Sequence, residues 1–335
     1  MPLLQSERPL KLLALAAAVV PFLTTTASAD FTYTTLDDPL AADVAAHGTI
    51  AYGISGNTIV GQYKDSSGTD HGFMYNGSAF TTLDDPLGAD GSTAQGVSGN
   101  TIVGWYYDSG DNLHGFMYNG STFTTLDDPL AYAPGDTFAE GVSGNTVVGG
   151  YYDSSGILHG FIYNGSTYTT LDDPLTTRYT LAAGISGSTI AGPYEGSNGG
   201  FHGYLYNGST YTTLDDPLAE AGGNTSAQGV AGNTVVGGYV DANGLEHGFL
   251  YNGSTYTTLD DPLATDLPSE NTQANGVSGN IVVGSYVDSR GVFHGFEVTV
   301  PEPSSSGVLI VGVAGLLARR RRSSWRLVCG RPYGS

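Results

Sequence analysis

Residues 139–174 read AEGVSGNTVVGGYYDSSGILHGFIYNGSTYTTLDDP, and this unit recurs with small changes along the chain. A His-Gly-aromatic triplet returns every 43 to 47 residues, at histidines 71, 114, 159, 202, 247 and 294. A Leu-Asp-Asp-Pro-Leu ending occurs at 36–40, 83–87, 126–130, 171–175, 214–218 and 259–263. Self-similarity at such a period predicts an array of equivalent supersecondary units, which we call copies one to six.

Each copy alternates β-prone runs with turn signals. In copy three the runs are 139–143, 146–152, 158–163 and 166–171. Asn164-Gly165 between two such runs is typical of a hairpin with a type I′ turn, which needs positive φ at both residues. We therefore expect a four-stranded antiparallel meander, and its apolar residues on both faces indicate that neighbouring units cover both faces.

The two ends of the repeat array decide how the units assemble. Copy six ends with FHGFEVTV at 293–300 and has no fourth run, whereas FTYTTL stands alone at 31–36. A closed ring explains this offset, because the first strand then completes the last unit and leaves no free edge. We expect an all-β, six-bladed propeller over residues 30–300, with four-stranded antiparallel blades and the N-terminal strand closing the last blade. A β-solenoid or β-prism is the alternative.

Composition and charge exclude several classes of protein. The chain has 335 residues with 50 Gly, 22 Tyr, one Cys and 13% charged residues, which argues against coiled coils, disulfide scaffolds and cysteine-based zinc sites. Residues 30–303 hold three basic and 31 acidic residues, a formal charge of −28. Such a surface repels nucleic acid and anionic membranes, and leaves cations or neutral molecules as ligands.

The N-terminus has the pattern of a secretory signal peptide over residues 1–29. Arg8 and Lys11 precede an apolar run at 12–23, and an Ala-x-Ala site predicts cleavage between Ala29 and Asp30. A retained membrane anchor is the alternative, although twelve apolar residues give only ~18 Å of helix, short for a bilayer core of ~30 Å.

The C-terminal residues contain a second pattern that predicts where the protein is delivered. Pro301, Glu302 and Pro303 precede an apolar run at 307–318, which ends in Arg319, Arg320, Arg321 and Arg322. This order resembles the PEP-CTERM sorting signal of Gram-negative bacteria, here over 301–322. The resemblance implies recognition by an exosortase-type enzyme, transient inner-membrane association through 304–318, and delivery to the cell surface or the biofilm matrix. An ordinary C-terminal membrane anchor is the alternative, and residues 323–335 form a further tail.

The repeats themselves resemble the HAF-repeat family of extracellular proteins. In copy two the matching residues are Gly96, Val97, Ile102, Val103, Gly104, His114 and Phe116. Gly115 stands where that family has alanine, and the same substitution recurs in every copy. The resemblance implies an exported repeat protein, and it implies no particular activity.

The repeated histidines and aspartates are the candidate chemical groups. Equivalent histidines on six blades lie too far apart to share one zinc ion, so we expect each to bind a loop of its own or the next blade. The Asp-Asp-Pro triplets cap turns, and calcium is the only cofactor they suggest. The candidate ligands are Asp84, Asp85, Asp127, Asp128, Asp172 and Asp173.

The expected function is non-enzymatic: a structural or adhesive role at the cell surface or in the matrix, with extracellular polysaccharide as a candidate partner. No catalytic motif is present, and a repeat places the same polar groups in six equivalent positions, whereas an active site needs different groups at one place. The alternative is a lectin-type propeller with sugars stacked on Tyr106, Tyr151 and Tyr239. A matrix polysaccharide hydrolase would need a cluster of carboxylates in the central funnel.

Overall fold

The computed structural model describes residues 31–89, 91–132, 135–176, 178–265 and 272–301, which form 24 β-strands. The isolated first strand is β1 Thr32–Leu36. Copy one comprises β2 Gly48–Ser55, β3 Thr58–Lys64, β4 Asp70–Tyr75 and β5 Phe80–Thr82; copy two β6 Ser92–Ser98, β7 Thr101–Tyr107, β8 Leu113–Tyr118 and β9 Phe123–Leu126; copy three β10 Thr137–Ser143, β11 Thr146–Tyr152, β12 Leu158–Tyr163 and β13 Tyr168–Leu171. Copy four comprises β14 Gly184–Ser186, β15 Thr189–Glu195, β16 Phe201–Tyr206 and β17 Tyr211–Leu214; copy five β18 Thr225–Ala231, β19 Thr234–Val240, β20 Glu246–Tyr251 and β21 Tyr256–Leu259; copy six β22 Thr272–Ser278, β23 Ile281–Val287 and β24 Phe293–Thr299.

The strands build a propeller-like arrangement of four-stranded antiparallel blades. Copies two to five each form a separate sheet in chain order. Copies one and six share one eight-stranded sheet, so the described sheets differ from the predicted set of six separate blades. The difference arises from one parallel pair, Gly48 with Phe293, where the Phe293 N–H donates to the His47 carbonyl at 2.9 Å.

The first strand lies beside the last one. β1 pairs antiparallel with β24 in a continuous register from Thr32 opposite Thr299 to Leu36 opposite Gly295. β24 in turn pairs with β23 along its whole length. β1 therefore lies along the edge of β24 that β23 does not occupy.

The core lies between copies. Val60 of copy one packs with Phe116 and Tyr106 of copy two, and Val283 of copy six packs with Phe73 of copy one. The aromatic residue of the His-Gly-aromatic triplet is fully buried in every copy, at Phe73, Phe116, Phe161, Tyr204, Phe249 and Phe296. Both faces of the sheets are thus covered by neighbours, which explains why apolar residues occur on both faces of the strands.

The predicted hairpins form where the turn signals stand, but their turn type was wrong. Gly165 has φ +94° whereas Asn164 has negative φ, so the turn is not type I′. The Asn164 side chain explains the difference, because its Oδ1 accepts hydrogen bonds from the N–H groups of Ser166 and Thr167 at 3.0 Å. The asparagine is used for this cap and the glycine alone supplies positive φ.

The described residues contain no helix with the length and apolar character that crossing a bilayer requires. The predicted signal peptide, its cleavage site at Ala29 and Asp30, the sorting signal after Pro301 and the 323–335 tail lie outside the described residues.

Candidate functional site

Because the strands of each blade are antiparallel, successive turns lie at opposite ends of the blade. The turns joining the second strand to the third lie at the same end as the Asp-Asp-Pro-Leu segments, and we call this end the Asp face. The turns joining first to second and third to fourth strands lie at the opposite end, the Asn face. Val300 donates its N–H to the Asn280 carbonyl, which places the end of β24 on the Asn face.

Each repeated histidine is held by a carboxylate on the Asp face. Its Nδ1 lies 2.8–3.0 Å from the first aspartate of an Asp-Asp-Pro triplet. The pairs are His71–Asp84, His114–Asp127, His159–Asp172, His202–Asp215, His247–Asp260 and His294–Asp37. This confirms that the histidines bind a neighbouring turn.

In five copies a second carboxylate also lies close to the histidine, and the histidine ring stacks on a tyrosine. We call this arrangement the histidine clamp. In copy two, His114 Nε2 lies 3.5 Å from Asp108 of the turn after β7, and its ring stacks on Tyr106 with a centroid distance of 5.3 Å. Copies one, three, five and six repeat this arrangement with distances of 3.5–3.8 Å. Copy four has Gly196 at the turn position, so His202 keeps one carboxylate.

The clamp shifts the pKa values of its members. The hydrogen bond with Asp37 raises the pKa of His294 and outweighs burial, which lowers it. Burial lowers the pKa of His71, but Asp84 and Asp65 together outweigh burial and the net shift is upward. Hydrogen bonds from the Asn112 side chain and from backbone N–H groups hold the pKa of Asp108 at about 2. These shifts describe structural ion pairs, which favour the charged forms.

The second aspartate of each triplet is buried. Asp128 is 4% exposed, and its Oδ1 accepts a hydrogen bond from the Leu130 N–H at 2.8 Å, whereas its Oδ2 has no partner among the described residues. Burial raises the pKa of Asp128. The equivalent residues are Asp38, Asp85, Asp173, Asp216 and Asp261, all 2–4% exposed.

The calcium candidates therefore divide into two kinds. Asp84, Asp127 and Asp172 hold histidines, and Asp85, Asp128 and Asp173 lie buried beneath the turn. Within the described ranges, no three His, Cys, Asp or Glu side chains are placed to hold a metal ion together. The turn-capping role of these residues is the one that their contacts display.

Six leucines project from the Asp face. Each follows an Asp-Asp-Pro triplet, and its N–H donates to the buried aspartate at 2.8–2.9 Å. Their side chains are 60–63% exposed: Leu40, Leu87, Leu130, Leu175, Leu218 and Leu263. Single exposed apolar residues are ordinary on protein surfaces, and what distinguishes these leucines is their repetition at six equivalent turns of one face.

The tyrosines suggested as sugar platforms are not accessible. Tyr106, Tyr151 and Tyr239 are 2–3% exposed, and each hydroxyl lies 2.9–3.1 Å from a threonine hydroxyl on the fourth strand of its own copy. They pack between copies and against the histidines, so the prediction that sugars stack on them was wrong. A partly exposed aromatic pair lies beside them, Trp105 and Tyr107, with ring centroids 5.6 Å apart and Tyr107 37% exposed.

The first strands of all six copies line a central channel. Five of them carry a β-bulge, at Tyr52, Gln95, Glu140, Gln228 and Asn275, and Ala183 takes the same place in copy four. These residues, with Gln273, line a cavity of about 120 Å³. Bulges re-aim side chains and are frequent beside functional sites.

Sequence reasoning missed the channel residues. They occupy the middle of an Ala-x-Gly frame that is constant in every copy, while the middle residue changes from copy to copy. That contrast between a constant frame and a variable centre was the available signal. The hydrolase hypothesis needed several carboxylates here, and among the described lining residues Glu140 is the one carboxylate.

Comparisons with known proteins leave the family open. No family model matches the sequence. No curated protein matches it either.

Three solved structures are similar at low identity. A fungal lectin from Aleuria aurantia, described as a six-bladed β-propeller with a novel fucose recognition mode, shares 14% identity over 76% of this chain and 97% of its own, with a TM-score of 0.47. A triple mutant of AofleA from Arthrobotrys oligospora shares 12% identity over 81% of this chain and 83% of its own, with a TM-score of 0.43. Trypanosoma rangeli sialidase shares 9% identity over 90% of this chain and 64% of its own, with a TM-score of 0.48. All three TM-scores lie below 0.5.

Proposed function

We propose that this chain is a non-enzymatic, exported six-bladed β-propeller that has a structural or adhesive role at the cell surface or in the extracellular matrix. It reaches that place through the sorting signal that begins at Pro301. The observation that carries the adhesive role is the set of six equivalent leucines on the Asp face, each 60–63% exposed. Contacts repeated six times on one rigid body allow many weak interactions to add to a strong one.

The close approach between the first strands of successive copies supports six blades in a closed ring. A methyl group added at Gly96 would lie 2.7 Å from the Glu140 carbonyl oxygen, so the first strands of copies two and three are in close contact. The same approach links each copy to the next, and Gly276 of copy six meets the Tyr52 carbonyl of copy one. The eight-stranded sheet then comprises two blades joined at one residue pair, with β1 as the outer strand of blade six.

The positions of the two ends orient the proposed adhesive face. Thr32 and Thr299 are paired, and Val300 contacts the turn at Asn280, so the described chain enters and leaves on the Asn face. Before processing, a membrane segment after Pro301 would hold the Asn face toward the inner membrane. The leucines lie on the opposite face, away from the processed end, so processing leaves them free to contact a matrix polymer.

Extracellular polysaccharide is the partner we propose. A body with a formal charge of −28 repels polyanions, whereas a neutral polymer meets no such repulsion. The Asp face carries the apolar leucines together with aspartates whose side chains are 35–47% exposed, such as Asp84 and Asp127, so it presents both apolar contacts and hydrogen-bond acceptors.

A substitution series tests the adhesive role. Replacing Leu87, Leu130 and Leu218 together by serine should leave the fold intact, because these side chains are exposed, and should strongly reduce retention on isolated matrix polysaccharide. Replacing the same three leucines by methionine keeps the apolar surface and serves as the control, for which we expect retention close to that of the parent. Equal retention of the serine and parent proteins would end the adhesive proposal.

A second series tests the sorting route in cells of the source bacterium. Glu302→Ala should abolish processing and leave the full-length chain in the inner-membrane fraction, whereas Glu297→Ala, on β24, should be processed normally. Normal surface delivery of the Glu302 variant would contradict the sorting proposal and favour an ordinary anchor.

Lectin-type carbohydrate binding is the second candidate, and the Trp105–Tyr107 pair favours it because exposed aromatic rings can stack on the apolar faces of sugars. A glycan array separates the two proposals. Discrete glycan hits that disappear in Trp105→Ala and persist in Trp105→Phe would support a lectin, whereas an array without hits would support the adhesive role.

A further inference from the structure

The bulge residues make one asymmetric place in a molecule of six similar copies. Tyr52, Gln95, Glu140, Gln228 and Asn275 all enter the same cavity, and no two neighbours around the ring are identical. A cavity of about 120 Å³ has room for several water molecules, or for a small ion with part of its hydration shell. Chemical differences between copies that converge at one place are what binding of a single small ligand requires.

Two of the amides present oxygen atoms to this cavity. Asn275 Nδ2 donates to the Ala51 carbonyl at 2.9 Å, and Gln228 Nε2 donates to Ser226 Oγ at 2.9 Å. With the nitrogen ends engaged by the strands, the carbonyl oxygen of each amide is left as an acceptor. The lining therefore combines amide oxygens with the Tyr52 hydroxyl and a carboxylate.

Glu140 supplies the charge. It makes no hydrogen bond or ion pair with any described residue, and the described lining contains no Lys, Arg or His. Glu140 is partly exposed and lines the cavity, so its carboxylate can reach a cation that enters there. The formal charge of −28 on the exported part further favours cations in an enclosed channel.

We propose that the central channel binds one small hard cation through oxygen atoms, with Glu140 as its charged ligand and Gln228, Asn275 and Gln95 as neutral ligands. Calcium fits this set best, because Ca²⁺ accepts six to eight oxygen ligands of mixed type in flexible geometry. Magnesium demands a near-ideal octahedron and retains its waters, so it suits a ring of long amide side chains less well. This site is separate from the Asp-Asp-Pro turns and does not depend on the adhesive proposal.

Protons should compete with the cation for the Glu140 carboxylate. Burial raises the pKa of Glu140 to about 8, so the empty site holds a proton at lower pH. Tyr52 and Tyr179 interact electrostatically with Glu140, and burial raises the pKa of both phenols further above neutrality. The other first strands contribute Gln95, Ala183, Gln228 and Asn275, which do not titrate. The apparent affinity for the cation should therefore be higher at pH 8 than at pH 6.

Calorimetric titration of the chelator-treated protein with CaCl2 at pH 6 and pH 8 tests the site, with MgCl2 and KCl as separate arms. We expect one site per chain, Ca²⁺ bound more tightly than Mg²⁺ or K⁺, and tighter binding at pH 8. Glu140→Gln should lose the site and melt at about the parent temperature without calcium, because Glu140 has no hydrogen bond or ion pair with any described residue that the change would break. The control Asp111→Asn changes an exposed carboxylate in a turn with φ +59°, which asparagine tolerates, and should bind as the parent does.

Three outcomes would overturn the proposal. One is the absence of calcium binding at millimolar concentration at pH 8. Another is unchanged binding in Glu140→Gln, which would place the ion elsewhere. The third is calcium affinity of the parent that does not change between pH 6 and pH 8, a measurement that needs no variant and stays decisive if Glu140→Gln fails to fold.

Discussion

His294 and Asp37 lie 257 positions apart in the chain, yet Nδ1 of the histidine is 3.0 Å from both carboxylate oxygens of the aspartate. In copy one the same contact joins His71 and Asp84, which are 13 positions apart. Tyr286 and Thr35 repeat the pattern, because their hydroxyls are 3.2 Å apart across 251 positions. Contacts that are local in the other copies thus join the two ends of the propeller.

Asp37→Asn should therefore destabilise the protein more than Asp84→Asn does. Both changes remove the same charged hydrogen bond, worth about 0.2–1 kcal/mol for a partly exposed pair. Only the first loosens the place where the two ends of the chain meet, and where no peptide bond resists opening. We expect faster amide hydrogen exchange in β1 and β24 for Asp37→Asn, and local changes around β4 for Asp84→Asn. Equal exchange of β1 in the two variants would contradict this.

The His294 contact should also depend on pH. Because its pKa is raised in the folded protein, the protonated histidine adds stability that is fully present below about pH 6.5 and is lost as pH rises through the folded pKa. The difference in melting temperature between the parent and Asp37→Asn should be larger at pH 5.5 than at pH 8.5. A difference that grows with pH would show that the sign is wrong.

Removal of residues 30–38 should expose the edge of β24 from Phe293 to Thr299. It also removes Leu36, which is 5% exposed, and the contact of Tyr33 with Phe296 at 5.5 Å. Loss of the leucine alone costs about 2–3 kcal/mol, and a free edge invites pairing with another molecule. Light scattering should show dimers or larger species, together with a lower melting temperature.

A circular permutant is the matched control for that deletion. Val300 is joined to Phe31 by Asn-Gly-Ser, the linker that begins the third turn of the other copies, and the chain is opened between Ala42 and Asp43. Since Thr32 and Thr299 are already paired, the linker should close an ordinary hairpin. The permutant should be monomeric and melt within a few degrees of the parent, whereas failure to fold would contradict the paired ends.

The strands of copy three show which strand bounds could be predicted from the sequence. The predicted runs 146–152 and 158–163 coincide with β11 and β12. The first strand starts earlier, at Thr137, because Thr137 and Phe138 pair with Tyr151 and Gly150. The fourth starts later, at Tyr168, because Asn164 holds the two preceding residues in the turn.

The residues that line the channel were not predicted from the sequence. A bulge is a mismatch between two strands, and the alternation of one strand does not display it. Glu140 falls at a bulge between Ala139 and Gly141, so its side chain reaches the channel although it follows a core position. The same limit applies to the shared sheet of copies one and six, which depends on a single pair, Gly48 with Phe293.

Two adjacent glycines of β19 should respond oppositely to alanine. A methyl group at Gly237 would lie 2.0 Å from the Ser226 carbonyl oxygen and 2.8 Å from the Phe249 ring, so Gly237→Ala should cost about 3 kcal/mol or prevent folding. At Gly238 the nearest atom is 3.3 Å away, and the equivalent position holds Trp105 in copy two, so Gly238→Ala should be neutral or slightly stabilising. Chemical denaturation of the two variants measures both changes, and a similar loss of stability in the two would contradict the close packing between strands.

Asp128 and Asp108 on the Asp face should show pH effects of opposite sign. Burial raises the pKa of Asp128, so ionisation of this carboxylate lowers stability as pH rises through its folded pKa. Asp128→Asn keeps an oxygen for the Leu130 N–H and removes the buried charge, so it should raise the melting temperature at pH 7 and have less effect near pH 4.

Asp108, with a pKa of about 2, contributes stability that is present above pH 4 and is lost as pH falls. Asp108→Asn should therefore lower the melting temperature at pH 7 and lose that effect near pH 2. Thermal melts of both variants across this range give the two signs directly, and the same sign for both would show that the buried and the turn aspartates do not differ in the way their contacts imply.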